Sequence, residues 1–344
     1  MTLRSLTRFA LVSCIAAAIA LAGSVASPAA AVSSPPVIAL YYAWFDENSW
    51  NPSGLSDLPT SPYRSSDRST IERHVAQARS AGIDVFALNW WGPGNPTDDN
   101  LRTLLSVAGG SGFGVTIDFD LNSPFIRNAG DATNALKYVA QYYDSPAWFR
   151  YQGKPVIMFF GNRKYDIGTW GAIRAQVDPN RQAIWIGEGD VFSCLSVFDG
   201  IHPYSITWSP DPAGQLASYA ARTRSMGADK LWVATVMPGY DDTRLGRGGA
   251  GYARDRQGGA LYRSMWEGAI ATNPAMISIT SFNEWPEGSQ IEPSARYGDL
   301  YLQITKQYSD AYKSGPRPAS PAPPSSPAVF DGRWYSEAGQ GRGG

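Results

Sequence analysis

Between residues 37 and 281 short runs, most of them continuously apolar, alternate with amphipathic stretches, and this alternation restricts the fold more than any other feature. The runs lie at 37–42, 85–89, 114–119, 156–160, 183–187, 196–201, 231–236 and 276–281. A strand with one wet face alternates polar and apolar residues, whereas a run that is apolar throughout belongs in a parallel sheet covered on both faces. Helical spacing fills the gaps. Leu101, Leu104, Leu105 and Ala108 form one stripe of 98–108, and Leu136, Val139 and Tyr143 one stripe of 131–143. Further helices fit 167–177, 213–226, 259–271 and 299–312, but the link from the fifth to the sixth run is too short for a full one. At 69–81, Ser69-Thr70-Ile71-Glu72 has the pattern of a capping box, Ile71, Val75 and Ala78 share a face, and Gly82 ends the helix. His74 is expected on the solvent face of this helix. Eight strands with intervening helices predict a single-domain (β/α)8 TIM barrel over 32–313. A doubly wound sheet is the alternative, but no GxGxxG follows the first run.

The segments outside that domain read differently. Arg4 and Arg8 precede an apolar stretch at 9–21, and Ala29-Ala30-Ala31 offers a cleavage site, so 1–31 reads as a signal peptide of a secreted protein. Cys14 sits inside the apolar stretch rather than at its end, which argues against lipidation. Cleavage leaves Cys194 as the one thiol, so no internal disulfide is expected. Residues 314–344 are rich in Pro, Ser and Gly and read as a flexible tail. A formal charge of −1 excludes a strongly basic nucleic-acid binder. No later run approaches the roughly 18 apolar residues that a membrane span needs. The protein is expected to work as a monomer.

In a barrel the chemistry sits in the loops after the strands. There the chain carries Tyr42, Trp44, Asn89, Trp90, Trp91, Asp118, Asp120, Asn162, Glu188, His202, Tyr204, Tyr240, Asn283, Glu284 and Glu287. With 12 Trp, 18 Tyr and 13 Phe there are many rings on which a sugar can stack, while carboxylates and amides satisfy its hydroxyls. The stretch MISITSFNEWPEGSQIEP places Glu284 and Glu287 three residues apart beside Trp285, and two carboxylates are the basic equipment for breaking a glycosidic bond. Plainer readings exist for single members: Trp90 and Trp91 as core, Asp118 or Asp120 as a helix cap, Glu188 as a solvated acid. With two His and no P-loop, zinc, triad and nucleotide chemistry are poorly served, and neither metal nor cofactor is expected.

Three stretches resemble glycoside hydrolase family 99, the endo-α-mannosidases and endo-α-mannanases. They are Met237-Pro238-Gly239-Tyr240-Asp241-Asp242-Thr243-Arg244, Arg254-Asp255-Arg256-Gln257-Gly258-Gly259 and, most specifically, SFNEWPEGSQIEP. Weaker echoes occur at Tyr41-Tyr42-Ala43-Trp44, Asn89-Trp90-Trp91-Gly92 and Gly153-Lys154-Pro155-Val156. The resemblance implies a barrel that cleaves within α-mannosides with retention and without a metal. It implies that Glu284 acts on the sugar 2-OH, that Glu287 is the acid/base at the glycosidic oxygen, and that Tyr240 lines the same subsite. Two departures stand out. Typical members carry His-Ile-Glu-Pro-Tyr at the third strand end, where this chain has Thr116-Ile117-Asp118-Phe119-Asp120, and Phe45-Asp46 replaces an aromatic followed by Gly.

A conventional retaining pair reaches opposite ring faces with carboxyls about 5–5.5 Å apart, which two Glu at i and i+3 of one loop need not do. They can instead serve neighbouring oxygens of one sugar, so that O2 becomes the nucleophile and a 1,2-anhydro sugar the intermediate. Glu287 must then start protonated, and Trp285 and Glu284 are expected to provide the apolar, acid-rich setting. Tyr42, Trp44, Trp90, Trp91, Asp118, Asp120, His202, Tyr204, Tyr240 and Asn283 are the candidate contacts for a polysaccharide or oligosaccharide. Activity on another α-glycan, for which Asp118 and Asp120 speak, and non-catalytic carbohydrate binding remain the competing readings.

Overall fold

A computed structural model describes residues 34–247 and 249–315; the segment read as a signal peptide, with Cys14, and the tail beyond Gly315 lie outside the described residues. Eight parallel strands close into a barrel: Val37–Tyr41, Val85–Trp90, Gly114–Asp120, Lys154–Phe160, Ile184–Glu188, Gly200–His202, Leu231–Val236 and Met276–Ile279. Each pairs with the next, and the last pairs with the first. Helices α1 (Arg68–Ser80), α2 (Pro96–Ala108), α3 (Ala129–Val139), α4 (Ile167–Val177), α5 (Pro212–Ser225), α6 (Ala260–Ala271) and α7 (Leu300–Ser314) surround it.

The strands read as apolar throughout because they have two cores to face. Alternate residues Ile38, Leu40, Val85, Ala87, Val156, Met158, Ile184, Ile186, Val233 and Met276 fill the barrel. The intervening ones, such as Val37, Ala39, Phe86, Leu88, Ile157 and Phe159, pack outward against the helices. Followed to the carboxyl ends, the inward set turns polar. Asn89 pairs in register with Asp118, and Glu188 with His202. A period of two therefore brings these four side chains to the mouth of the barrel.

Four expectations fail locally. Residues 196–199 are not strand: Phe192–Ser196 is a 3-10 turn, and the sixth strand is only Gly200–His202. Residues 131–143 do not form one helix, because α3 stops at Val139 and Ala140–Tyr142 continues as a 3-10 turn. No capping box forms on α1, whose N-cap is Asp67 without a side-chain cap bond. Ser69 is already inside the helix, and Glu72 pairs with Arg68 at 2.8 Å instead. His74 is completely buried, not on the solvent face. Gly82 does end α1, at φ +77°, where a Cβ would meet Ser309 of α7. Cys194 is free and buried, and burial pushes its thiol up to about 12.

Candidate active site

The eighth strand leads into a loop that closes on itself. Beyond Ile279 the backbone still pairs on both sides, Thr280 N–H donating to Val236 O (3.0 Å) and Phe282 N–H to Leu40 O (2.9 Å). Ser281 and Ser289 then meet through their hydroxyls at 2.9 Å, Ser281 N–H donates to Ser289 O (3.0 Å), and Glu284 N–H donates to Ser281 Oγ (2.7 Å). Asn283 clamps the loop to the first strand: its Oδ1 accepts from Tyr42 N–H (2.7 Å) and its Nδ2 donates to Tyr42 O (2.8 Å). From the seventh-strand side, Asp241 N–H donates to Glu287 O (2.8 Å) and Arg256 donates to Gly288 O (2.8 Å). Glu292 N–H donates to Phe282 O at 2.8 Å, so residues 281–292 form a braced loop, and both glutamates ride on it.

Glu287 Oε2 accepts from Tyr204 O–H at 2.6 Å, and Oε1 from Arg247 Nη2 at 3.0 Å. Tyr42 O–H donates in turn to the Tyr204 oxygen (3.1 Å), and Arg247 reaches Asp242 Oδ2 at 3.0 Å. Asp242 also accepts from Tyr240 O–H (3.1 Å), and Tyr240 stacks on Tyr252 at 4.6 Å between centroids. Glu284 is nearly buried. Burial first, and then the Glu284, Asp118 and Glu287 carboxylates, raise the Tyr42 hydroxyl well above its usual value. Burial, Glu287, Tyr42 and Glu284 do the same for Tyr204. Both glutamates therefore bear on the same two hydroxyls, which stay protonated donors at any ordinary pH.

Aromatic rings flank this spot. Trp44 lies 4.7 Å from Tyr42 and 5.2 Å from Trp91 between centroids, and Trp91 is held by its Nε1 donating to Asn89 Oδ1 (2.9 Å). Both indoles are half-buried, leaving surface on which a sugar can stack. Beneath, the Asp118 carboxyl is held well above the usual range, chiefly by burial and then by Asp120 and Glu188. His202, also buried, is pushed down to about 4 by desolvation and is neutral. Among the described residues no group of three or more His, Cys, Asp and Glu is arranged to hold a metal ion. No described helix is long and apolar enough to cross a membrane.

The structure redistributes several expected roles. Trp90 belongs to the outer core: it faces away from the barrel, donates to Asp98 Oδ1 (3.2 Å) and stacks with Tyr138. Asp118, His202 and Asn283 have no accessible surface, so they underlie the cleft and do not touch its contents. Trp285 serves Glu292 rather than Glu287, its Nε1 donating to Glu292 Oε2 at 3.1 Å. Arg247 was not expected at all. Its signal is the one cation in a glycine-rich stretch, Gly246 to Gly251, that begins shortly after the PGYDDT motif.

Residues 54–314 match the family model described as Glycosyl hydrolase family 99. The chain is 30% identical over 293 residues to the glycoprotein endo-alpha-1,2-mannosidase of Rattus norvegicus, covering 73% of this chain and 62% of the relative. It is 28% identical over 289 residues to the Xenopus laevis protein of the same name, covering 73% and 64%. The chain thus spans less than two thirds of the length of either relative. A solved GH99 endo-alpha-mannosidase from Bacteroides thetaiotaomicron, in complex with bis-tris-propane, superposes with TM-score 0.72 at 27% identity, covering 81% of this chain and 97% of that one. With the family model matched over most of the chain, and a family member's barrel superposing on its own, this chain belongs to glycosyl hydrolase family 99.

Proposed function

We propose that the chain is a secreted, retaining glycoside hydrolase that cleaves α-mannosidic linkages inside mannan or mannose-containing glycans, acting as a monomer. The observation that carries this reading is the placement of Glu284 and Glu287 on one short loop, where both bear on the Tyr42 and Tyr204 hydroxyls. Two carboxylates so placed suit adjacent oxygens of one sugar. In the first step Glu284 removes the proton from O2, and O2 attacks C1. The bond from C1 to the glycosidic oxygen breaks, and that oxygen takes the proton of Glu287. The resulting 1,2-anhydro sugar is opened by water at C1: Glu287 takes a proton from the water, the C1–O2 bond breaks, and Glu284 returns its proton to O2. Two inversions at C1 give retention.

Tyr204 and Arg247 support Glu287 once it has become a carboxylate, because donors to an ionised group are the strong ones. Trp44 and Trp91 supply the stacking surface. A second reading, hydrolysis of another α-glycan, is favoured by the acidic third-strand end, where Asp118 and Asp120 replace the usual residues. Incubation with a panel of α-mannans and α-glucans, followed by sizing of the products, separates the two. Internal cleavage of an α-mannan is expected; cleavage of α-glucan alone selects the second reading, and no cleavage of either refutes both. Export predicts a mature protein beginning near Val32, which mass spectrometry of secreted material checks.

A further inference from the structure

Under the braced loop lies a buried polar chain that the reaction itself does not require. Glu292, in the same loop, is 4% exposed at its side chain and pairs with the fully buried His74 of α1, Oε1 to Nε2 at 2.9 Å. Its Oε2 accepts from Tyr63 O–H (2.9 Å) and Trp285 Nε1–H (3.1 Å). On the far side of the imidazole, Tyr41 O–H meets Nδ1 at 3.1 Å. Tyr41 O–H can donate to Nδ1 and an Nε2–H to Glu292, while Arg73 Nη2 lies 3.4 Å from the same Nε2. The Tyr63 oxygen also accepts from Asn283 Nδ2 at 3.1 Å, the same amide that holds the Tyr42 backbone.

Glu284 and Glu287 therefore lie between two anchors, Asn283 and Glu292, that meet at one tyrosine hydroxyl. Packing alone does not account for the second anchor. A buried carboxylate costs several kcal/mol in desolvation, and well-packed apolar groups of similar volume are often as stabilising or more so. What a charged hydrogen bond adds is direction: it fixes where the loop sits relative to α1 and the first strand. We propose that His74 is a positioning residue which, through Glu292, ties the loop bearing Glu284 and Glu287 to α1 and so sets their place against the sugar. This rests on the reading of those two glutamates as the reacting pair. A displacement of about 1 Å at a reacting group can cost 10²-fold in rate, so a slack tie should appear in kcat rather than in binding.

The test separates position from stability. In His74→Phe/Glu292→Gln the ring volume is filled and the Gln carbonyl still accepts from Tyr63 and Trp285, but the tie to α1 is cut, and the Tyr41 hydroxyl and the Gln amide N–H lose their partner. On the α-mannan that wild-type enzyme cleaves, assayed well below the transition, we expect a folded double variant whose melting temperature is about 5–20 °C lower. We also expect kcat about 10²-fold lower, with KM changed by less than about threefold. Glu292→Gln alone should keep kcat at least about tenfold above the double variant, because His74 can shift its proton to Nδ1, donate to Tyr41 and accept from the Gln amide. A double variant with near wild-type kcat overturns the proposal. So does one that fails to fold, which would make the tie purely structural, or a single variant as slow as the double. Inactivity of the wild-type enzyme across the whole panel is a different result: it refutes the assigned reaction and takes this inference with it.

Discussion

Replacing Tyr204 by Phe tests the role of Glu287 through a single hydroxyl. That hydroxyl donates to Glu287 Oε2 at 2.6 Å, and burial together with the surrounding acids keeps it protonated. In the proposed mechanism Glu287 passes its proton to the departing oxygen and the nascent carboxylate accepts this bond, so the hydroxyl stabilises the transition state more than the starting acid. A hydrogen bond to a charged group is worth about 1.5–3 kcal/mol. At 1.36 kcal/mol per decade, Tyr204→Phe should lower kcat/KM on a natural linkage about 10- to 100-fold. An activated aryl glycoside needs little protonation of its leaving group, so its rate should fall less than about threefold. The structural cost is the 3.1 Å bond from Tyr42, about 1 kcal/mol or roughly 2–4 °C in melting temperature. Initial rates of reducing-end and phenol release measure the two activities. Equal losses on both substrates, or none on the natural linkage, would refute the reasoning.

Glu287→Gln should lose about 10²–10⁴-fold on natural linkages and far less on the aryl substrate, whereas Glu284→Gln should be impaired on both; a glycosyl ester trapped on either residue would sink 2-OH participation. The corresponding 2-deoxy substrate should be inert with the wild-type enzyme. Treatment with EDTA should leave the rate unchanged, and a loss restored by a divalent ion would contradict the metal-free mechanism. His202 gives a pH prediction: its folded value of about 4 lies below the ordinary 6.5, so between these values the unfolded chain binds the proton that the folded one refuses. Stability should therefore fall as pH drops from 6.5 toward 4, by about 3 kcal/mol. His202→Gln should flatten that part of a melting-temperature profile, and an unchanged slope would refute the assignment.

The barrel was legible because its signal is redundant. Every parallel strand must be apolar on both faces, and seven of the eight runs coincide with strands to within two residues at each end. The exception shows where the signal runs out. Val197 and Phe198 lend residues 196–199 an apolar look, yet Leu195 is buried from a 3-10 turn and Phe198 from the short link after it. Composition records burial, not backbone conformation, and in so short a run periodicity has no room to decide. The capping box failed for a related reason. Asp67, two residues earlier, lets α1 begin at Arg68, and a local motif cannot reveal that the neighbouring turn has already started the helix.

At the site, position along a strand proved more telling than residue type. Trp90 and Trp91 are chemically alike, but Trp90 continues the outward parity of Phe86 and Leu88 into the outer core, while Trp91 follows the strand and meets the cleft. His74 makes the same argument from the helix side. It stands three residues after Ile71 and four before Ala78, on the stripe that the periodicity of α1 assigns to the interior. Judged by polarity it belongs in solvent, and judged by spacing it belongs in the core, where it lies. A polar residue on an apolar stripe implies a buried partner. Here that partner is Glu292, near the far end of the domain in sequence, brought alongside only because the eighth strand closes against the first. Closure of the barrel thus sets the braced loop directly over the first strand and α1. The loop that carries Glu284 and Glu287 reaches its tie to His74 only after the sheet has come full circle.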